Sequence, residues 1–191
     1  MTLDPLIADL VLLSLALLFA VSGASKLADL HGFRGVLAAY RLLPGGKRVL
    51  ALTSWFLPLL EICAALLMIG AIVAGRPPLP GAVAGGLAAL LLMVYASAMA
   101  VNLMRGRSRI DCGCLGFGAR ARRIRWAMVG RNLLLAGIAL WAAMPLKTVR
   151  PLGWLDVFTL LAATAAFLLL YAAIETAYAN QDAMQELEAG R

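Results

Sequence analysis

Two cysteines, Cys112 and Cys114, stand one residue apart in the glycine-rich stretch 110–118, which lies between two hydrophobic runs. A thiolate is the nucleophile in disulfide exchange, and nearby cations lower the pKa of a cysteine from about 8.5 towards neutrality. Arginines stand on both sides of the pair, and we expect Arg109 and Arg120 to stabilise its thiolate form. The pattern therefore indicates a reactive thiol pair.

The spacing of the pair also favours a disulfide between the two cysteines. In an extended chain the Cα atoms of Cys112 and Cys114 would lie about 7 Å apart, and a slight bend brings them into the disulfide range of roughly 4.4 to 6.8 Å. Gly113 supplies the conformational freedom for that bend. Because a ring this small is expected to be strained, and strained, exposed disulfides are the exchangeable ones, the loop predicts thiol–disulfide redox chemistry.

Two other roles remain open for the same cysteines. Two soft thiolates are suitable ligands for Cu(I), whereas zinc needs four ligands and the chain has one histidine, His31, in a different loop. A non-enzymatic chaperone or scaffold would use the loop only to hold a partner protein. We assign no metal, and we expect a Cys112→Ser change to abolish the redox role while leaving the scaffold role intact.

The composition places this loop in a membrane protein. Of the 191 residues 63% are hydrophobic and 14% are charged, against roughly 25% charged residues in an ordinary soluble domain. A membrane-spanning helix needs about 20 mainly apolar residues. Five stretches approach that length, namely 6–27, 50–74, 82–104, 127–144 and 155–178. The sequence predicts an all-α integral membrane protein with one domain over 1–191, in which a four-helix transmembrane bundle (about 6–145) is joined by a fifth C-terminal transmembrane helix.

The charged residues border the apolar stretches. The net charge is +7, but the basic residues lie where topology signals and lipid headgroups explain them, so we expect the lipid bilayer and no nucleic acid as partner. Residues 29–43 carry apolar side chains at helical spacing and predict a short amphipathic helix on the membrane surface. Most basic residues fall in the loops 26–48 and 105–125, and the positive-inside rule therefore predicts an outside N-terminus and a cytoplasmic cysteine loop.

Polar residues inside the predicted spans form a second candidate site. An acid at membrane depth is costly and usually faces a partner, and for Glu61 the candidates are Arg131 and Asn132 in the fourth stretch. This intramembrane polar cluster has two possible roles, proton handling during thiol exchange or an interhelical ion pair. It contains too few polar residues to line a pathway for a solute. We expect Lys26 to extend to the headgroups, and Cys63 to be either an electron relay or an inert, buried side chain.

Five short motifs resemble, in order and spacing, those of the MauE family of methylamine utilisation membrane proteins, relatives of the DoxX-like group. The resemblance covers roughly residues 10–145. The motifs are FAVSGASKL at 19–27, YRLLP at 40–44, LPLLE at 57–61, DCGCLG at 111–116 and RN at 131–132.

The resemblance implies a membrane protein that matures or stabilises an exported client, the disulfide-rich small subunit of methylamine dehydrogenase. It also implies a thioredoxin-like redox partner and a place in the bacterial inner membrane. The usual family loop is Cys-Gly-Cys-Phe-Gly, and here Leu115 replaces the phenylalanine while Phe117 follows two residues later. This departure leaves both thiols in place and bears on the fit of the partner.

The layout further resembles the four-helix redox bundles of the vitamin K epoxide reductase (VKOR) and DsbB class. That analogy brings a quinone into consideration as electron acceptor, although the residues themselves identify no cofactor. Maturation of an exported client requires the cysteine pair outside the cytoplasm, where disulfides persist. This requirement conflicts with the charge-based orientation, which places the same loop inside.

Overall fold

The helices of the protein follow its apolar stretches. The computed structural model describes residues 5–75, 78–108, 110, 124–144 and 153–189, and within these ranges the chain is helical and contains no strand. Four of the helices hold apolar segments 24 to 28 residues long, enough to cross a membrane, and the predicted all-α, multi-pass architecture is thereby confirmed. In chain order the helices are α1 (Pro5–Ala28), α2 (Leu30–Tyr40), α3 (Gly46–Val73), α4 (Pro78–Met104), α5 (Trp126–Ala142) and α6 (Trp154–Ala189).

The fourth predicted span, 127–144, corresponds to α5, which is shorter than the four long apolar helices. α5 has 17 residues and is therefore about 25 Å long at 1.5 Å per residue, against a hydrocarbon core of about 30 Å. It packs closely along α4 at Gly85, where an added Cβ would lie 2.8 Å from the Ala139 carbonyl oxygen and would also collide with Ala143. α5 is thus an apolar helix held tightly to α4, and its length falls short of the full thickness of the hydrocarbon core.

The centre of the bundle is built from small side chains. Ala16, Ala64, Ala88 and Ala139 are fully buried or nearly so in one cluster shared by α1, α3, α4 and α5. In lipid such residues allow close helix contact, which compensates for the lack of a hydrophobic driving force between helices. Gly23 serves the same purpose between α1 and α3, because a Cβ there would lie 2.9 Å from the Pro58 carbonyl oxygen.

The amphipathic helix α2 lies against one end of this bundle. Asp29 caps it by accepting a 2.8 Å hydrogen bond from the Gly32 backbone N–H, a common way to satisfy the first turn of a helix. Its apolar face buries Phe33 and Tyr40. Next to Phe33, Arg34 Nε donates to the Ser54 Oγ of α3 at 2.9 Å, so α2 is attached to the bundle by polar as well as apolar contacts.

The last helix, α6, packs on α1 and turns most of its surface outwards. Leu160, Thr164 and Glu175 are buried on its inner stripe, whereas Leu169 is 72% and Leu170 62% exposed. Large exposed apolar side chains mark a surface that water does not cover. The outer face of α6 is therefore suited to lipid.

Candidate functional site

The predicted thiol site falls in a segment that the structure leaves undescribed. Its geometry is therefore a prediction from the sequence alone, and the described residues on either side give its surroundings. The site residues that lie outside the described ranges are Arg109, Cys112, Gly113, Cys114 and Arg120.

The two ends of that segment meet. The Ile124 backbone N–H donates to the Ile110 carbonyl oxygen at 3.2 Å, and the two side chains are only 1% and 9% exposed. Both isoleucines pack in a second hydrophobic cluster with Tyr40 of α2, Met99 of α4 and Met128 of α5. The chain therefore leaves α4 and enters α5 through one fixed point, beside α2.

The predicted partner of Glu61 was wrong. Glu61 is fully buried in α3, and its Oε1 forms an ion pair with Nζ of Lys26 in α1, where the two side chains are 1% and 4% exposed. Lys26 therefore does not extend to the lipid headgroups as expected. Two opposite charges removed from water stabilise each other at short range, so Lys26 is turned inwards to the only acid of α3.

Other polar groups complete the coordination of this pair. Tyr95 of α4 donates from its hydroxyl to Glu61 Oε1 at 2.5 Å. Lys26 Nζ lies 3.0 Å from Ser22 Oγ and 3.3 Å from the Tyr95 hydroxyl, and it sits 4.7 Å from the centre of the Tyr95 ring and 5.3 Å from that of Phe33. An ammonium over aromatic faces gains cation–π attraction. The ion pair therefore joins α1, α3 and α4 at one buried point.

Arg131, which was predicted to pair with Glu61, forms a second ion pair with a different acid. Arg131 of α5 pairs through Nη1 with Glu175 Oε1 of α6, and its guanidinium carbon lies 5.4 Å from the centre of the Tyr171 ring. The Asn132 Oδ1 is 3.4 Å from two nitrogens of the same guanidinium. Arg131 thus connects α5 to α6 instead of neutralising Glu61.

One small cavity nevertheless brings the predicted polar residues together. It has a volume of about 40 Å³ and is lined by Glu61, Arg131, Asn132, Ser22 and Tyr95, among apolar neighbours. The second carboxylate oxygen of Glu61, Oε2, is buried and has no hydrogen-bond partner among the described residues. A cavity of this size is large enough for a water molecule, and one residue of each ion pair, Glu61 and Arg131, lines it.

The third cysteine is placed differently from the expectation. Cys63 is exposed on α3, two residues after the fully buried Glu61, and successive residues of a helix face different directions. The description of Cys63 as a buried side chain was wrong. Across the described ranges no three His, Cys, Asp or Glu side chains gather as they would around a metal ion.

Sequence reasoning missed Ser22, Tyr95 and Glu175 as members of the two clusters, and it missed the inward direction of Lys26. A signal was present for two of them. Glu175 is an acid within the last apolar stretch, the same feature that drew attention to Glu61. Ser22 and Lys26 are four residues apart and so share one helix face. Nothing in the sequence distinguishes Tyr95 from an interfacial tyrosine.

Comparison with known proteins places these features in a family. Residues 4–145 match the family described as "Methylamine utilisation protein MauE". The chain is 44% identical over 173 residues to the protein of that name from Paracoccus versutus, covering 89% of this chain and 87% of the relative. The corresponding values for Paracoccus denitrificans are 37% over 170 residues, with 88% and 86% covered, and for Methylophilus methylotrophus 36% over 174 residues, with 90% and 86% covered. No solved structure matches the chain.

Proposed function

Because this chain belongs to the MauE family, we propose that it serves methylamine utilisation as a membrane maturation factor. Its relatives are named methylamine utilization proteins. The client is an exported protein such as the small subunit of methylamine dehydrogenase. The active element is the Cys-Gly-Cys loop, which exchanges a disulfide with the client while it folds.

The proposed reaction transfers one disulfide from the loop to the client. A client thiolate attacks one sulfur of the Cys112–Cys114 disulfide and forms a mixed disulfide. A second client cysteine displaces the loop sulfur, so the client loses two electrons and two protons, gains a disulfide and leaves the loop as a dithiol. A thioredoxin-like partner in its disulfide form then accepts the two electrons and two protons from the loop.

The observation that carries this proposal is the fixed point formed by Ile110 and Ile124. Cys112 follows Ile110 by two residues in the sequence, and so begins from an anchor that is buried against α2 and the ends of α4 and α5. Reactive groups held by a rigid scaffold lose less freedom when they react than groups on a loose chain. A thiol pair that begins two residues after this anchor is suited to repeated exchange.

We assign the intramembrane polar cluster a positioning role in this function. The ion pair between Lys26 and Glu61 connects α1 and α3 and is bonded to Tyr95. Tyr95 also packs against both hydrophobic clusters, including the one that holds Ile110 and Ile124. The cluster therefore supports the helices from which the loop emerges.

Serine substitutions test the thiol proposal. We expect Cys112→Ser and Cys114→Ser each to abolish disulfide formation in the client while the protein remains in the membrane at its normal level. Cys63→Ser is the matched control, because Cys63 is an exposed cysteine of α3 and not part of the Cys-Gly-Cys sequence, and it should leave client maturation unchanged. Full maturation with Cys112→Ser would overturn the redox proposal in favour of a scaffold or a Cu(I)-binding loop.

A labelling experiment in intact cells tests where the loop lies. The protein lacking Cys63 is treated with membrane-permeant and membrane-impermeant maleimides, before and after mild reduction. Impermeant labelling that appears only after reduction supports an exchangeable disulfide outside the cytoplasm, against the charge-based orientation. Labelling by the permeant reagent alone, unchanged by reduction, would place free thiols inside and contradict the proposal.

The Glu61→Gln variant separates the positioning role from proton handling. Glutamine keeps an oxygen for the Tyr95 hydroxyl but removes the charge that faces Lys26. On the positioning role, the level of folded protein and client maturation fall together. A normal protein level with lost maturation would instead assign Glu61 to proton transfer during thiol exchange.

A further inference from the structure

Two cavities meet beside α2, at the end of the bundle where the loop is anchored. The first has a volume of about 180 Å³ and an almost wholly apolar lining from α2, α3 and α4, including Phe33, Val36 and Leu57. The second, of about 400 Å³, is more open and is lined by Arg41 and Lys47 with apolar neighbours. Leu37 and Leu43 line both cavities. The two cavities therefore adjoin at these residues, so that a basic mouth lies beside an apolar interior.

The cations at the mouth are available to a ligand. Arg41 and Lys47, like the adjacent Arg48, are exposed, and within the described part of the chain no carboxylate pairs with any of them. Gly46, the first residue of α3, lines the same cavity. The N-terminus of a helix carries partial positive charge and therefore adds to the attraction of an anion.

We propose that this site binds one anionic phospholipid, with its phosphate at Arg41 and Lys47 and an acyl chain in the apolar cavity. Both halves of the ligand are needed to satisfy both halves of the site, because a free phosphate would leave the apolar cavity empty and a neutral apolar molecule would leave the cations unpaired. Basic pockets beside membrane helices are known to favour anionic headgroups. A phospholipid is also the ligand that the surrounding bilayer supplies to apolar helices of this length.

Such a lipid would connect α2 to the bundle. It would contact Leu37 of α2 and Leu57 of α3 through its chain, on the side of α2 that buries Phe33 and Tyr40. Tyr40 in turn packs against Ile110 and Ile124. The bound lipid is thus positioned to stabilise the anchor of the loop, although its binding does not depend on the thiol chemistry.

Native mass spectrometry of the full chain tests this proposal. The protein, released from a neutral detergent, is mixed with equal amounts of phosphatidylglycerol and phosphatidylcholine that carry the same acyl chains, and separately with soluble glycerol phosphate. We expect one phosphatidylglycerol per chain to be retained in preference to phosphatidylcholine. Glycerol phosphate, which lacks acyl chains, should not be retained.

Amino-acid substitutions test the basic mouth and the apolar cavity separately. The pair Arg41→Gln with Lys47→Gln should lower the preference for phosphatidylglycerol about twenty-five-fold, from about fivefold for each basic residue near an anionic lipid surface. The matched control is Arg105→Gln with Arg107→Gln, which removes two charges beyond the end of α4 and should leave the preference within about twofold of the unchanged protein. Val36→Trp fills the apolar cavity at a residue that does not line the basic one, and it should lower the retention of the lipid.

Three outcomes would overturn the proposal. Equal retention of both lipids would show that the cations make no contact with a headgroup. Equal loss of preference in the control pair would show a general effect of charge at this membrane surface. Retention of glycerol phosphate as tight as that of phosphatidylglycerol would make the mouth a plain anion site.

Discussion

Replacement of Lys26 by methionine tests how much the buried ion pair contributes to the stability of the bundle. Methionine keeps most of the apolar length of lysine but removes the ammonium that faces Glu61, Ser22 and Tyr95. Removal of one partner from a buried ion pair costs about 3 to 5 kcal/mol, because the other charge is left without compensation. We expect a loss of that size in the free energy of unfolding.

The reverse single change should cost less. With Glu61→Gln, the ammonium of Lys26 keeps the oxygens of Ser22 and Tyr95 and the faces of two aromatic rings. Among the described residues, the carboxylate left by Lys26→Met keeps only the Tyr95 hydroxyl. The double variant has no buried charge at this point, and replacement of a whole buried pair is often close to neutral, so it should recover to within about 1.5 kcal/mol of the unchanged protein.

The measurement is reversible unfolding in mixed detergent micelles by titration with sodium dodecyl sulfate, followed by the loss of helicity. Lys47→Met is the matched control, because Lys47 is exposed, and such surface changes alter stability by no more than about 0.5 kcal/mol. Coupling of about 2 kcal/mol between the two single changes would support the reasoning. Losses that simply add in the double variant, or a loss below about 1 kcal/mol for Lys26→Met, would refute it.

Three further changes test the contacts that hold the helices together, each by the same unfolding assay. Gly85→Ala should cost about 1 to 3 kcal/mol through a collision with α5, whereas Gly86→Ala, which meets open space, should be neutral or stabilise by up to about 1 kcal/mol; equal effects would contradict the packing of α4 on α5. Glu175→Gln should cost about 1.5 to 3 kcal/mol by removing the carboxylate that pairs with Arg131, and an unchanged midpoint would show that this ion pair does not hold α6. Ser54→Ala should cost about 1 kcal/mol by removing the acceptor for the α2 arginine, and increased proteolysis of α2 would accompany that loss; no change in either would show that apolar contacts alone hold α2.

The positions of the helices could be predicted from the sequence because the membrane imposes a single strong requirement on them. A span must be apolar over about 20 residues, so hydropathy located α1, α3, α4 and the apolar part of α6 to within a few residues. The polar residues after the apolar part that ends at Tyr178 continue α6 as helix to Ala189, as expected of a last helix that extends into water. Hydropathy marks where lipid ends and does not mark where a helix ends.

The pairing of the buried charges could not be predicted in the same way. The sequence identifies Glu61 as an acid that needs a partner, but helical spacing relates only residues of one helix. Which helix lies opposite Glu61 is decided by close contacts such as that between Gly23 and Pro58, which brings α1 against α3. This contact brings Lys26 to Glu61, whereas Arg131 pairs with Glu175.

The hydrogen bond between Ile124 and Ile110 has a consequence for how this family can vary. Because the two ends of this segment are joined to each other, its length and its side chains can change without moving the helices on either side. Doubling the length of such a segment costs only about 0.6 kcal/mol in closure entropy. The bundle can therefore stay constant while the sequence between Ile110 and Ile124 changes.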